Sequence, residues 1–305
     1  MATPLVSARF ADPADDLTRG NTASVRFRVG FDRWIGYLLP LLFLVAIVPI
    51  ISLVYFISVQ AVPSLTWTVL TSYGTYQSQD ALGVPIVTTV LFISLATALS
   101  VAFGVFGGIA TAEFLDERSA GIVRTSANLL AGMPSVIVGY FGYFAFVLYF
   151  GWGLSFIAGV FTLSFFMTPY IFRTVDLAYS SVPRHIREAA HGSGSTPAQY
   201  ILRVGTPIAF PQILTGVFLA MAIGIGETAP IVLTVAPNVL VPTGVYSGAT
   251  YMTSLIWTGY NSPFRLPLLE AYQAAFLIVV VVLILNVAVR VISARYRRRL
   301  EGLFQ

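Results

Sequence analysis

Long apolar segments follow one another along most of the chain, separated by shorter stretches rich in charged residues, glycine and proline. A helix rises about 1.5 Å per residue, so roughly 20 apolar residues cross the ~30 Å hydrocarbon core of a membrane. The pattern predicts an all-α protein with six transmembrane helices, at about 34–59, 86–112, 128–150, 154–172, 213–235 and 273–289. Six spans place both chain ends on the same side of the membrane. Gly104, Gly107 and Gly108 are expected to give the second span a small-residue face for close helix packing, and 113–127 is predicted to be a short charged loop.

The composition favours the same class of protein. Hydrophobic residues make up 57% of the 305 residues and charged residues only 10%, whereas soluble domains carry about 25% charged residues. Cysteine is absent, so disulfides and thiolate metal sites are excluded. His185 and His191 have no third ligand near them in the sequence, so no metal site is expected. The net charge of +4 is explained by membrane topology, and no nucleic-acid partner is expected.

The basic residues, all of them arginine, are unevenly distributed about the predicted spans. One set of segments holds Arg9, Arg19, Arg26, Arg28, Arg33, Arg118, Arg124, Arg173, Arg184, Arg187, Arg203, Arg290, Arg295 and 297–299, and the opposite loops hold only Arg265. Cytoplasmic loops carry the excess of basic residues. Residues 1–33 are therefore predicted to form a cytoplasmic, mostly disordered N-terminal tail, 34–293 the transmembrane domain, and 294–305 a cytoplasmic C-terminal tail.

A polar interruption, residues 183–211, separates the fourth and fifth predicted spans. Pro183 suits the first position of a helix, along which Arg184, Arg187, Glu188 and His191 share one stripe. Gly192 and Gly194 are expected to end this helix, because glycine enters left-handed conformations freely. The segment 196–199, Thr-Pro-Ala-Gln, has the pattern of a capping box and predicts the start of a second short helix.

The residues of this interruption resemble the EAA loop of ABC importer permeases. The resemblance rests on Glu188-Ala189-Ala190, on Gly194, and on the ending at Pro207. It implies that the loop forms a coupling helix in a groove of a cytoplasmic ATPase, with Glu188 as the contact and Gly194 setting the turn. Thr206 stands where that family usually has leucine. An ordinary cytoplasmic loop whose amphipathic helices lie on the bilayer is the alternative.

Glu227 is the one ionisable residue well inside a predicted span. A carboxylate there costs roughly 2.5–3.5 kcal/mol on insertion scales and normally faces a cavity or a partner. Gly224, Gly226 and Pro230 around it predict a weakened or kinked helix that lines a substrate pathway together with Thr228. The alternative is a carboxyl group that pairs with a neighbouring helix purely for assembly.

The segment 226–230, Gly-Glu-Thr-Ala-Pro, together with Gly132-Met133-Pro134-Ser135 and 138–140, resembles the phosphate-specific permeases of the ABC importers, in particular the PstA-like subunits. The resemblance implies the ABC type-1 importer permease fold in a prokaryotic inner membrane. The implied partners are a second permease subunit (PstC-like) or a second copy, a PstB-like ATPase dimer that binds ATP-Mg, and an extracytoplasmic PstS-like phosphate-binding protein. The family often has an arginine where this chain has Ile223, so the predicted span lacks that cation. Because a carboxylate repels a phosphate dianion, Glu227 is predicted to pair with an arginine of a partner subunit; protonation by burial and a hydrogen bond to a protonated phosphate oxygen are the alternatives.

Arg173 is the arginine best placed to pair with an anion in a pathway. The simpler role is that it anchors its helix on the cytoplasmic side, with the guanidinium reaching the membrane interface. Lysine is absent, so the chain has no P-loop and is expected to bind no cofactor and to catalyse no reaction itself. Two other functions remain open: a permease for another oxyanion such as molybdate or sulfate, and a self-sufficient secondary transporter.

Overall fold

In a computed structural model of the protein, which describes residues 22–72, 81–238 and 240–301, every regular element is a helix. Five helices are long and apolar enough to span a membrane, and a sixth span is possible as a bent pair of helices. This confirms the predicted all-α, six-span class. The chain divides into two units, Met1–Phe56 and Ile57–Gln305, which are described separately.

The first unit contains most of helix α1, Thr22–Ala61. This helix begins inside the segment predicted to be a disordered tail, and residues 1–21 lie outside the described residues. Its candidate span runs over Trp34–Ser64. From residue 34 to residue 56 almost all of its side chains are exposed, as expected for a helix in contact with lipid or with another subunit.

The second unit contains the remaining helices. They are α2 (Trp67–Thr71), α3 (Gly83–Glu113), α4 (Glu117–Ala131), α5 (Ser135–Gly142, continued by a π-helix Tyr143–Tyr149), α6 (Phe156–Ser180), α7 (Arg184–Gly192), α8 (Pro197–Tyr200, continued by a π-helix Ile201–Gly205), α9 (Thr206–Gly226), α10 (Ala229–Val232), α11 (Met252–Tyr260) and α12 (Arg265–Glu301).

The core of this unit is built on α6, which packs against α3 and α9. Glycine allows α3 to approach α6 closely. A Cβ added at Gly104 would lie 2.9 Å from the Cβ of Ile171, and one added at Gly108 would lie 2.7 Å from the Cβ of Val175. Small residues at such positions let membrane helices pack backbone to backbone. The sequence prediction of a small-residue face on this span is confirmed.

The largest difference from the sequence prediction lies between α3 and α6. The charged segment 113–127 was predicted to be a loop, but most of it is helical, and the region predicted as span 128–150 consists of two helical segments joined at a sharp bend. Asp116 caps α4 by accepting hydrogen bonds from the backbone of Arg118 and Ser119, and bonds from Ser119 lower the pKa of this carboxyl below its ordinary value. The chain then breaks at 132–134, and the next helical segment is inclined by 99°.

The second short helix predicted after Gly194 is not a separate element. The segment Pro197–Gly226 forms one candidate span in which α8 runs through the π-helical turn into α9. Span five therefore begins earlier than predicted and ends at Gly226 instead of residue 235. In the same way α12 continues through Glu301, into the predicted C-terminal tail, while 302–305 lie outside the described residues.

The segment that follows α10 folds back over the beginning of α6. The carbonyls of Ser247 and Val245 accept hydrogen bonds from the first backbone amides of α6, those of Phe156 and Ile157, and Ser155 binds the carbonyl of Thr234. The unpaired amides of a helix start need such acceptors when they are buried. This segment and α11 thus close the end of the bundle opposite to α7.

Candidate functional site

Helix α7 is a short element held between two turns. Pro183 was predicted to be the first residue of this helix. In the structure it is the residue immediately before the helix, which begins at Arg184. The helix ends at Gly192, and Gly194 has a φ of 82°, where a side chain would be strained. Thr196 and Gln199 form the predicted capping box at the start of α8.

The residues predicted to contact an ATPase lie at the surface of this element. Glu188, Ala189 and Gly194 are exposed and Ala190 is half-buried. Pro207 is also exposed, in the first turn of α9 and therefore on the next long helix. Within the described part of the chain no hydrogen bond or ion pair holds Glu188, so its carboxylate is available to another protein.

Arg187, next to Glu188, points into the structure instead. Its guanidinium binds Glu113 at the end of α3 at 2.8 Å and also donates to the Tyr200 hydroxyl and the Tyr179 carbonyl. The hydrogen bond with Tyr200 and the charge of Glu113 raise the pKa of Arg187 above its ordinary value. His191 packs its ring against Tyr200, 5.4 Å between centroids. The stripe predicted from spacing therefore divides into an outward carboxylate and an inward cation.

The predicted weakness around Glu227 is a complete break in the helix, so Glu227 lies after the end of a helix and not inside a span. Glu227 has extended backbone angles, with φ −72° and ψ 135°. Its carbonyl accepts hydrogen bonds from the hydroxyls of Thr253 (2.7 Å) and Tyr251 (3.2 Å), and Tyr251 also donates to the carbonyl of Thr228. Because these carbonyls have partners, the break is a built feature of the native fold.

The break at Glu227 meets the break that precedes α5. The Glu227 carboxylate lies close enough to Ser135, the first residue of α5, for the two polar side chains to interact. A Cβ added at Gly139 would lie 2.9 Å from the carbonyl oxygen of Ala229, so α5 and α10 are in backbone contact. The Tyr170 hydroxyl, from α6, donates to the last carbonyl of α4, that of Ala131. Two interrupted helices therefore come together around one half-buried carboxylate.

The other two residues predicted for the pathway differ in their surroundings. Thr228 is half-buried within the break, beside Glu227. Arg173 is exposed on α6, seven residues before that helix ends at Ser180. Among the described residues no hydrogen bond or ion pair joins Arg173 to Glu227. The partner that sequence reasoning missed is Ser135, which the sequence offered as the residue after Pro134.

This arrangement places a carboxylate acceptor beside a hydroxyl at a break in the membrane domain. The structure records no ion pair for Glu227 among the described residues. A carboxylate in such a position repels a fully ionised anion but accepts a hydrogen bond from an acid proton of a ligand. The site therefore suits a polar ligand that donates a hydrogen bond through an O–H group.

Comparison with known proteins gives one consistent result. The family described as "Binding-protein-dependent transport system inner membrane component" matches residues 104–301. The chain is 36% identical over 258 residues to the phosphate transport system permease protein PstA 2 of Mycobacterium bovis, which covers 84% of this chain and 85% of that protein. It is 27% identical over 265 residues to PstA 1 of Mycobacterium tuberculosis, covering 84% and 86%.

The fold has a close counterpart among solved structures. A chain of a bacterial ABC transporter involved in the import of the acidic polysaccharide alginate superimposes with a TM-score of 0.61 at 17% sequence identity. The superposition covers 88% of this chain and 99% of that chain. The shared architecture is that of ABC importer permeases.

Proposed function

Because the chain belongs to the family of binding-protein-dependent transport inner membrane components, we propose that it is the membrane-spanning subunit through which an ATP-driven importer moves inorganic phosphate into the cytoplasm. The two relatives reported above carry the name phosphate transport system permease protein. The 36% identity to PstA 2 over most of both chains is the observation that carries the proposal. A permease subunit of this family is not itself the ATPase.

The partners follow from the family and from the surface of α7. An importer of this kind works with an ATPase and an extracytoplasmic binding protein; here these are a PstB-like ATPase dimer that holds ATP-Mg and a PstS-like phosphate-binding protein. A PstC-like permease or a second copy of this chain completes the pathway. Glu188, with Ala189, Ala190, Gly194 and Pro207, forms the contact for the ATPase, since a carboxylate takes charge-assisted hydrogen bonds from basic or backbone donors.

The orientation of the chain is part of this proposal. If α7 meets an ATPase, α7 lies in the cytoplasm, as the arginine distribution predicts. The segment 236–260 then lies outside, where a binding protein delivers its ligand. Both termini are cytoplasmic in this arrangement.

Within the pathway, Glu227 and Thr228 contact the substrate as it passes the break, with Ser135 beside them. Phosphate at neutral pH retains at least one acid proton, through which it donates a hydrogen bond to the Glu227 carboxylate. Sulfate and molybdate carry no such proton. Arg173 is exposed on a helix of the same unit and supplies positive charge along the route. The same chemistry favours phosphate over the other oxyanions that the sequence left open.

Reconstitution of the native assembly into liposomes tests the proposal. Labelled phosphate should accumulate only when ATP is present with the ATPase and the binding protein is present outside, and excess sulfate or molybdate should not compete. Uptake that sulfate or molybdate suppresses would contradict phosphate as the substrate. Uptake by the purified chain alone, without any ATPase, would indicate a secondary transporter.

A further inference from the structure

We infer that Arg187 and Glu113 form a brace that couples movement of α7 to the transmembrane helices, so that these two residues set how much transport results from each ATP hydrolysed. The inference rests on the proposed function, because it concerns how an ATPase acting on α7 drives the permease. It assigns a positioning role to a residue that faces away from the ATPase contact.

The first observation is the number of helices that one side chain joins. Arg187 contacts Glu113 at the end of α3, the carbonyl of Tyr179 at the end of α6, and Tyr200 at the start of the span that leads into α9. The guanidinium carbon also lies 5.8 Å from the centre of the Tyr200 ring, within the range of a cation–π contact. Three membrane-spanning helices therefore meet at a single residue of α7.

The second observation is that the backbone connects α7 only to α6 and to α8, through two short turns. The helix is connected to α6 through the turn at 181–183, and to α8 through the turn that contains Gly194. Neither connection leads to α3. The ion pair between Arg187 and Glu113 is therefore the contact that links α7 to α3 among the described hydrogen bonds and ion pairs.

The third observation is the burial of the pair. The Glu113 side chain is only 7% exposed and that of Arg187 is 29% exposed. Tyr200 is buried, and the Tyr179 hydroxyl bonds Thr206 in the first turn of α9. Removing one partner of a largely buried pair leaves the other charge without compensation, so this contact resists separation more than a surface ion pair does.

These contacts lead to the break at Glu227. Helices α3 and α6 pack closely through Gly104 and Gly108, so we expect a displacement of one to be passed to the other. The span that begins near Tyr200 runs without interruption to Gly226. A displacement of α7 that carries both Glu113 and Tyr200 therefore shifts the pair α3 and α6 and also the span that ends at Gly226, next to Glu227. Loss of the brace allows hydrolysis to continue while transport falls.

The test compares Glu113→Gln, Arg187→Gln and the double variant with a matched control, Asp176→Asn. Asp176 is similarly buried, with its side chain 11% exposed, and forms a two-point ion pair with Arg124 at 2.8 Å. That pair joins α4 to α6 and does not involve α7. All four variants are purified as the native assembly, and phosphate uptake and ATP hydrolysis are measured in the same liposomes.

The brace predicts that uptake per ATP falls by roughly tenfold in each single variant, within the range typical of coupling between sites. The double variant should be little worse than either single one, since the two residues act as a pair. Asp176→Asn should keep the wild-type ratio, even where it lowers the yield of the assembly.

Three results would overturn the brace: an unchanged ratio in both single variants, an equal fall in Asp176→Asn, or uptake and hydrolysis that decline together. Glutamine keeps the shape of the Glu113 side chain. If the ATPase nevertheless dissociates from the Glu113→Gln assembly, the ion pair is needed to hold the subunits together, and this result would also count against the brace. If the wild-type assembly carries another oxyanion, the proposed substrate is wrong, but the ratio measured for that solute still decides on the brace.

Discussion

The close approach of α3 to α6 gives the sharpest prediction about the fold. Replacing Gly108 with alanine places a methyl group 2.7 Å from the Cβ of Val175 and 2.9 Å from the carbonyl oxygen of Phe172. Carbon atoms in contact prefer about 3.5–4.0 Å. Neither neighbouring atom lies at the end of a flexible side chain, so the clash is relieved only when the two helices separate by roughly 1 Å.

The size of the effect follows from packing energetics. Inserting an extra methyl group into a well-packed interface costs typically 1–3 kcal/mol. Alanine also gains about 1 kcal/mol over glycine inside a helix, which masks part of the clash. Gly121→Ala is a matched control, because Gly121 lies within α4 and a Cβ there has nothing within 4 Å. The difference between the two variants isolates the clash at about 1–3 kcal/mol.

The assay is thermal unfolding of the purified chain in detergent, with both variants measured beside the wild type. Gly108→Ala should unfold roughly 5 °C below Gly121→Ala, since about 1 kcal/mol shifts the midpoint by 2–4 °C for a domain of this size. Equal midpoints for the two variants would refute the reasoning, because α3 and α6 would then not be in backbone contact.

Three further predictions concern the candidate site and the turn after α7. Glu227→Gln in the reconstituted assembly should lower labelled-phosphate uptake by roughly tenfold or more, the loss expected for one charge-assisted hydrogen bond; unchanged uptake would remove Glu227 from the mechanism. Gly194→Ala should cost about 1–2 kcal/mol in thermal stability because its φ is 82°, whereas Gly192→Ala, which meets nothing within 4 Å, should cost less. Tyr251→Phe should cost about 1–3 kcal/mol, because two carbonyls at the break lose a buried donor, and an unchanged midpoint would contradict a stabilising role for this hydroxyl.

Local chemistry made much of this structure predictable. The apolar segments marked the spans, the glycines of α3 marked a packing face, and Gly224, Gly226 and Pro230 marked the break at Glu227. Each of these signals acts over a few residues, through helix rise, close packing or a lost backbone hydrogen bond. The capping box at Thr196 belongs to the same group.

The errors arose where local signals conflict. The charges of 113–127 suggested a loop, although Asp116 is a good cap and Ala120 and Ala127 lie on a buried face of α4. The apolar pattern continues across Pro134 without a gap, so hydrophobicity alone joined two helices that the structure separates.

The contacts that matter most for function join distant parts of the chain. Ser135 meets Glu227, and Glu113 meets Arg187, only after the helices have packed. Spacing along one helix assigned Arg187 and Glu188 to the same stripe, but it could not distinguish the inward side chain from the outward one. Such pairings depend on tertiary structure and have no local signature.

The most direct test of the account is a crosslink at α7. The sequence has no cysteine, so Ala189→Cys introduces a single reactive thiol at an exposed position. In membranes that contain the native assembly, a reagent that attaches to this thiol and carries a photoactivated group, which needs no cysteine on the partner, should join residue 189 to the subunit that hydrolyses ATP. If residue 189 crosslinks to no nucleotide-hydrolysing protein in an assembly that still transports, α7 is not where the ATPase acts.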